Sequence, residues 1–334
     1  GHYTTSSGSI EQTECTWGYY QSEYGTVRCV TSTPGHYVNQ SGAAEQTPCS
    51  PGSYQNQYVK QECIEAFEGY FVAEAASPSQ TRCPLGYYTD SGGSVECNLV
   101  SPGHYTTTEG AAAQTPCSYG TYQPESGQSS CHYADEGHHV PEEGASQQTP
   151  CAPGSYQALS AMQYCIDTDP GYHTPEPGMT EQVICSAGTF QPDAGQGICH
   201  QADKGHYVLS SGMTKQMICS AGWYQPEVGQ LECLQAQPGH YSPAAGTADQ
   251  IACEPGTYQS RIGASNCNYA EVDHYVELAA SVSQTPCPDG SSQPLEGQSE
   301  CVFPPGLSTL MILALAGVGL ILVTGLVLIM RRRN

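Results

Sequence analysis

Apolar residues in residues 1–306 are sparse and evenly dispersed. They never recur at i, i+3, i+4 and i+7 over three turns, and Gly or Pro interrupts the chain every six to ten residues. The pattern predicts short β-hairpins and irregular loops with little helix. Residues 307–330 are the opposite, 24 uncharged and mostly aliphatic positions beginning at Leu307 and ending at Met330. That stretch predicts one transmembrane α-helix of about 36 Å, long enough to cross a bilayer. Pro304-Pro305-Gly306 precedes it and Arg331, Arg332 and Arg333 follow at once. The basic cluster places the C-terminus in the cytoplasm and everything upstream outside.

The sparse pattern is also strictly periodic. Nine copies of a 34-residue frame fill 1–34, 35–68, 69–102, 103–136, 137–170, 171–204, 205–238, 239–272 and 273–306. Each follows G-H-Y-x4-G-x3-Q-x2-C-x2-G-x-Y-Q-x3-G-x3-C, with local departures. A Gln stands three residues before the first Cys of every copy, from Gln12 to Gln284. Tetratricopeptide repeats share this length, but they are Ala- and Leu-rich helix pairs, which the Gly and Pro spacing excludes. Each copy splits into two related halves, both opening G-x-Y, a tight turn releasing into a short extended segment.

The cysteines fall at Cys15, Cys29, Cys49, Cys63, Cys83, Cys97, Cys117, Cys131, Cys151, Cys165, Cys185, Cys199, Cys219, Cys233, Cys253, Cys267, Cys287 and Cys301. Their gaps alternate between 14 and 20 residues without exception. No C-x-x-C occurs, which removes zinc ribbons, thioredoxin-type redox sites and iron–sulfur runs. Paired cysteines at this density belong to an oxidising, extracytoplasmic compartment and compensate for a core too small to hold such units folded.

The stretch C-x2-G-x-Y-x4-G-x3-C, as in Cys117 through Gly120, Tyr122 and Gly127 to Cys131, resembles the cysteine-rich modules of ephrin-receptor-like and tumour-necrosis-factor-receptor-like ectodomains. It is similar, too, to the arrays of such modules in large microbial surface proteins. The resemblance covers 1–306 and implies small, loop-rich, disulfide-stapled modules in tandem. In that family the two cysteines of the stretch bond to each other. Carried over, this implies Cys15–Cys29, Cys49–Cys63 and so on to Cys287–Cys301. Family arrays carry further cysteines between modules and this chain has none, so bonds across the 20-residue gaps stand as the alternative.

Charge narrows the partners. Nine basic residues, three of them the C-terminal arginines, face 32 acidic ones. Such a surface repels nucleic acid and anionic lipid and keeps a long array soluble. The G-H-Y histidines (His2, His36, His104, His138, His206, His240, His274) could form a metal or pH-responsive ladder. Tyr70 and Tyr172 replace two of them, which favours a packing role at the turn. Acidic residues ahead of that step (Asp135, Glu136, Asp169, Asp203) could gather calcium. Thr33, Phe67, Ser101 and Gln237 at the equivalent place favour solvated surface. Tyrosines, 23 against four Phe and two Trp, are expected to form each repeat's small core. Asn39-Gln40-Ser41 is an N-glycosylation sequon on an exposed turn. No unique Ser, His and acid constellation stands apart from the repeats, so no enzyme is expected and neither cofactor nor metal is called for.

The reading is thus an elongated rod of disulfide-rich, β/loop-rich repeats with one C-terminal transmembrane helix. The chain is expected to be the C-terminal part of a longer repeat protein, with an export signal and further repeats upstream. The expected role is that of a cell-surface stalk or adhesion protein whose partners are the bilayer, through 307–330, and an extracellular protein or glycan. A receptor-like ectodomain with one localised binding site is the alternative, sought in the third copy (Tyr70, Phe71) or the sixth (Tyr172, His173). A microbial sorting signal, its helix later removed, is the alternative reading of the C-terminus.

Overall fold

The computed structural model describes residues 1–304; the apolar stretch 307–330 and Arg331–Arg333 lie outside the described residues. Among the described residues there is no helix, and none is long and apolar enough to cross a membrane.

The structural step is half of the 34-residue frame. First strands begin at residues 2, 19, 36, 53 and 70, a step of 17 that continues to residue 274. In the opening hairpin, β1 (His2–Tyr3) pairs antiparallel with β2 (Thr13–Glu14), His2 opposite Glu14 and Tyr3 opposite Thr13. Seventeen two-stranded hairpins of this form follow one another, and a Ser292–Val302 bridge continues the series. Positions 1–17 below count within one such half-repeat, starting from the Gly of the G-x-Y step.

A hairpin of two-residue strands is not stable alone; these are held because each bonds its neighbours in sequence. The described residues form two units, 1–168 with 174–182, and 169–173 with residues from 183 onward. The same scheme recurs in each. In the first unit, Gly18 N–H donates to the Val38 carbonyl at 2.9 Å, Gln21 N–H to Ala43 at 3.1 Å and Gly42 N–H to Cys15 at 2.9 Å. In the second, Gly188 donates to Val208 at 2.8 Å, Gln191 to Met213 at 3.1 Å and Gly212 to Cys185 at 2.8 Å. Position 1 thereby meets position 4 of the next half-repeat. Position 8 reaches back two half-repeats, to position 15.

This closeness decides which residues fit. At Gly35 an added Cβ would lie within the radius of the Ala76 carbonyl oxygen, and at Gly103 within that of Gly144. The buried centre is built from small residues at positions 15 and 4. Ala134, Ala202, Ala236 and Ala270 are fully buried at the first, and Val38, Val72, Val140 and Val208 nearly so at the second. Here the structure departs from the expected tyrosine core. Tyr54 alone among the tyrosines is buried, whereas Tyr3, Tyr37, Tyr105 and Tyr207 are half-buried. Backbones that approach through glycine leave no room for a ring between them, so the rings lie along the flank.

Position 8 adopts a left-handed backbone, φ near +70° at Gly42, Gly127 and Gly144. Val59 holds the same place at φ +57°, a conformation that a β-branched residue adopts under strain. Val59→Gly should therefore raise the stability of the folded array, by about 1 kcal/mol. Thermal unfolding monitored by circular dichroism measures it, and a lower midpoint would contradict the reading.

Candidate functional site

The chemistry-bearing side chains of the chain are spent largely on joining half-repeats. Nine disulfides link cysteines 14 apart, Cys15–Cys29 through Cys287–Cys301, with Cα–Cα separations of 5.7 or 5.8 Å. Among the described residues no cysteine is free. The first Cys of a pair occupies position 15 and the second position 12 of the next half-repeat. In the first eight pairs the position-15 sulfur is shut away, as at Cys15, Cys49 and Cys151, all 0% exposed, while the position-12 partner reaches the surface in part. Cys15 also accepts from Gly42 N–H, so one residue ties three half-repeats together.

The alternate junctions have no cysteines, and there the Gln at position 12 takes over. Gln46 Oε1 accepts from Thr33 N–H at 2.8 Å, Gln80 from Phe67 at 2.8 Å and Gln114 from Ser101 at 2.9 Å. The same bond joins Gln148 to Asp135, Gln216 to Asp203, Gln250 to Gln237 and Gln284 to Glu271, each at 2.7 Å. The amide sits where the position-12 sulfur sits at the other junctions. Disulfide and glutamine staples therefore alternate along the chain.

This accounts for two of the acidic residues considered as calcium ligands, Asp135 and Asp203. The Gln148 amide donates to the Asp135 carboxylate at 2.7 Å and Gln216 donates to Asp203 at 2.7 Å. Each carboxylate completes a two-bond clasp with its Gln. A second Gln, at position 4, was part of the repeat pattern without a role. Gln55, Gln123, Gln157 and Gln191 are at most 2% exposed. Each closes its own hairpin loop: the Gln157 amide donates to the Tyr164 carbonyl at 2.8 Å, and its Oε1 accepts from Leu159 N–H at 3.1 Å. A buried amide with these bonds is satisfied; in sequence the only sign of it was its recurrence after Tyr.

The staple makes a paired prediction. Gln114→Glu keeps the acceptor for Ser101 N–H and should be nearly neutral. Gln148→Glu sets one carboxylate against Asp135, so it should destabilise its junction by about 1 kcal/mol at neutral pH. Hydrogen exchange of the Asp135 and Ser101 amides reads each junction separately; equal effects would contradict the clasp.

The histidines of the G-H-Y step do not converge. Nδ1 of His36, His104, His138, His206, His240 and His274 lies 3.1–3.4 Å from the carbonyl oxygen two residues earlier. Each is a turn residue bonded within its own turn, instead of to the adjacent Tyr. His2 lies 3.7 Å from the Glu14 carboxylate. Among the described residues, the one group of three metal-type ligand atoms within 4.8 Å is His139, Cys151 and Cys165. Both sulfurs belong to one disulfide, and a disulfide offers no thiolate to a metal. Asn39 is exposed in the loop between the strands His36–Tyr37 and Thr47–Pro48.

Tyr207, Ile218, Cys219, Trp223 and Cys233 line a shallow hollow beside a disulfide, and Tyr3, Tyr19 and Cys29 line another. In the third copy, Arg82 Nε donates to the Tyr70 hydroxyl at 3.2 Å and its guanidinium lies 6.0 Å from that ring. That bond raises the Arg82 pKa above its already high ordinary value.

The family described as tyrosine-protein kinase ephrin type A/B receptor-like matches residues 69–117. The match spans the half-repeats 69–85 and 86–102 and most of 103–119, taking in the Cys83–Cys97 disulfide and ending on Cys117. No curated protein matches the chain. The chain is a tandem array of disulfide-bonded cysteine-rich repeats, similar over residues 69–117 to the ephrin-receptor-like family.

Proposed function

We propose that this chain is a non-catalytic cell-surface stalk of the adhesion type. Residues 307–330 would cross the membrane, Arg331, Arg332 and Arg333 would stay in the cytoplasm, and the repeats would extend outside. The observation that carries the reading is the recurrence of one joining scheme, with Cys and Gln side chains consumed as staples. A chain that spends its reactive groups on joining repeats is suited to spacing and support. Its charge adds to this: a strongly acidic surface resists collapse and avoids nucleic acid. Its partners would be the bilayer and an extracellular protein or glycan. Asn39, exposed and within a sequon, would carry an N-linked glycan where the host's secretory pathway adds one.

A receptor-like ectodomain is the second reading, favoured by the Arg82–Tyr70 pair and by the hollow beside Trp223. Aromatic faces next to a polar rim are the usual makings of a glycan or protein contact.

Topology is the test. With an export signal supplied, the full chain should remain in the membrane pellet through alkaline carbonate extraction. Its repeats should be cleaved by protease added to intact cells. Removal of 307–330 should release the protein to the medium. Identical fractionation of the two proteins would overturn the anchored reading.

A further inference from the structure

The position-3 side chain that flanks each disulfide is an aromatic ring in most odd half-repeats: Tyr3, Tyr37, Phe71, Tyr105, Tyr207, Tyr241 and Tyr275. Tyr207 lines the same hollow as both cysteines of Cys219–Cys233. His139 is different. Its Nδ1 lies 3.2 Å from Sγ of Cys165, the partly exposed sulfur of the Cys151–Cys165 disulfide. His173 occupies the same position one copy later, but its Nδ1 faces the Gly197 carbonyl oxygen at 3.3 Å. One disulfide of the nine therefore has an imidazole nitrogen in contact with its accessible sulfur.

We infer that Cys151–Cys165 is a thiol-exchange site, the disulfide that an external dithiol, protein or small molecule, opens before the others. An incoming thiolate attacks Cys165 Sγ, forming a mixed disulfide there. The Cys151–Cys165 bond breaks and its electron pair leaves on Cys151, which takes a proton from water. The second thiolate of the reductant then attacks its own partner sulfur. It closes the oxidised dithiol's own disulfide ring and expels Cys165 as thiolate. The dithiol is oxidised by two electrons and the protein disulfide is reduced by two, so the exchange balances. His139 acts at both steps through its Nδ1–H. It stabilises negative charge spread over the three sulfurs as the first bond forms, and then the departing Cys165 thiolate. A leaving thiol whose thiolate is stabilised departs faster, and a reduced form so stabilised makes the disulfide more oxidising. Elsewhere the position-3 ring is Tyr or Phe, or the His173 imidazole that faces the Gly197 carbonyl, none of which presents a ring N–H to a sulfur, and the chain's net charge of −23 repels thiolates.

The full chain, in detergent, is exposed to limiting dithiothreitol, quenched with one alkylating agent, then fully reduced and labelled with a second. Mass spectrometry gives the opening rate of each disulfide. Cys151–Cys165 should open about tenfold faster than Cys117–Cys131, Cys185–Cys199 or Cys219–Cys233. Both His139→Tyr and His139→Phe, residues natural to this position in other copies, should bring it to the common rate. Equal rates in the unaltered chain would overturn the inference. So would a fast Cys151–Cys165 that neither variant slows.

Discussion

Gly103→Ala should unfold the region around its half-repeat, costing about 3–5 kcal/mol, whereas Gly290→Ala should cost about 1 kcal/mol. Both glycines stand at position 1 with left-handed backbones, φ +81° and +87°, so the conformational penalty of a Cβ is shared. The difference is what the Cβ meets. At Gly103 it would overlap the Gly144 carbonyl oxygen and press on Ala145, all backbone and therefore unable to rotate away. At Gly290 nothing lies within 4 Å. Relief at Gly103 would require the two half-repeats to separate. That would break the bond Gly144 N–H donates to the Cys117 carbonyl at 2.8 Å and disturb the one Gly103 N–H donates to Gln123 at 2.7 Å. Limited proteolysis locates the damage as well as its size: cleavage should appear near residues 103–145 in the first variant. Equal loss in the two variants would mean that backbone conformation, not the close approach, fixes glycine at position 1. Asp273 also stands at position 1, with φ +60°.

The second large effect concerns the length of the step. Deleting residues 205–238 removes one disulfide half-repeat and one glutamine half-repeat. It joins Lys204 to Gly239 with every remaining Cys in the right place. Deleting residues 205–221 removes a single half-repeat of 17 and takes Cys219 with it. Cys233 then faces Ala202 at position 15 of the preceding half-repeat, with no sulfur to meet. The longer deletion should leave no free thiol and near-unchanged resistance to heat. The shorter one should expose one thiol to iodoacetamide and lose about 3 kcal/mol of loop-closure stabilisation. Two adjacent half-repeats with Cys at position 12, Cys199 and Cys233, would also lack the alternation on which the staples depend. If the two deletions behave alike, the disulfide and glutamine staples are not a pair of complementary joints.

Much of this was written in the chain. The 34-residue frame, the division of each copy into G-x-Y halves and the absence of helix in the repeats follow from where Gly, Pro and Cys stand. The 14-residue cystine came from family resemblance, since spacing alone also admitted the 20-residue bond; the structure has the former at all nine places. The glutamine staple was hidden, although its residue recurs in every copy. Gln46 and Thr33 are 13 apart, almost the separation of a bonded Cys pair, but an amide that reaches a backbone N–H leaves no mark on its partner's identity. Thr33, Phe67 and Asp135 all serve. The contact between Gly103 and Gly144 was equally silent, because the sequence records a close approach only as a missing side chain. The tyrosine core was misjudged for the same reason: ring frequency is visible in a sequence, whereas the space between backbones is not. His139 shows the converse. Two His stand in the Tyr column, His139 and His173, and only the position of Nδ1 separates them.

Mapping the disulfides of the unreduced protein is the most direct test of the alternating-staple account. A peptic digest, analysed by mass spectrometry before and after reduction, should yield linked peptides of the Cys49–Cys63 and Cys117–Cys131 kind at every copy and none across Cys29–Cys49 or Cys63–Cys83. Linked peptides spanning the 20-residue intervals would contradict it. They would place sulfur at the junctions assigned here to glutamine.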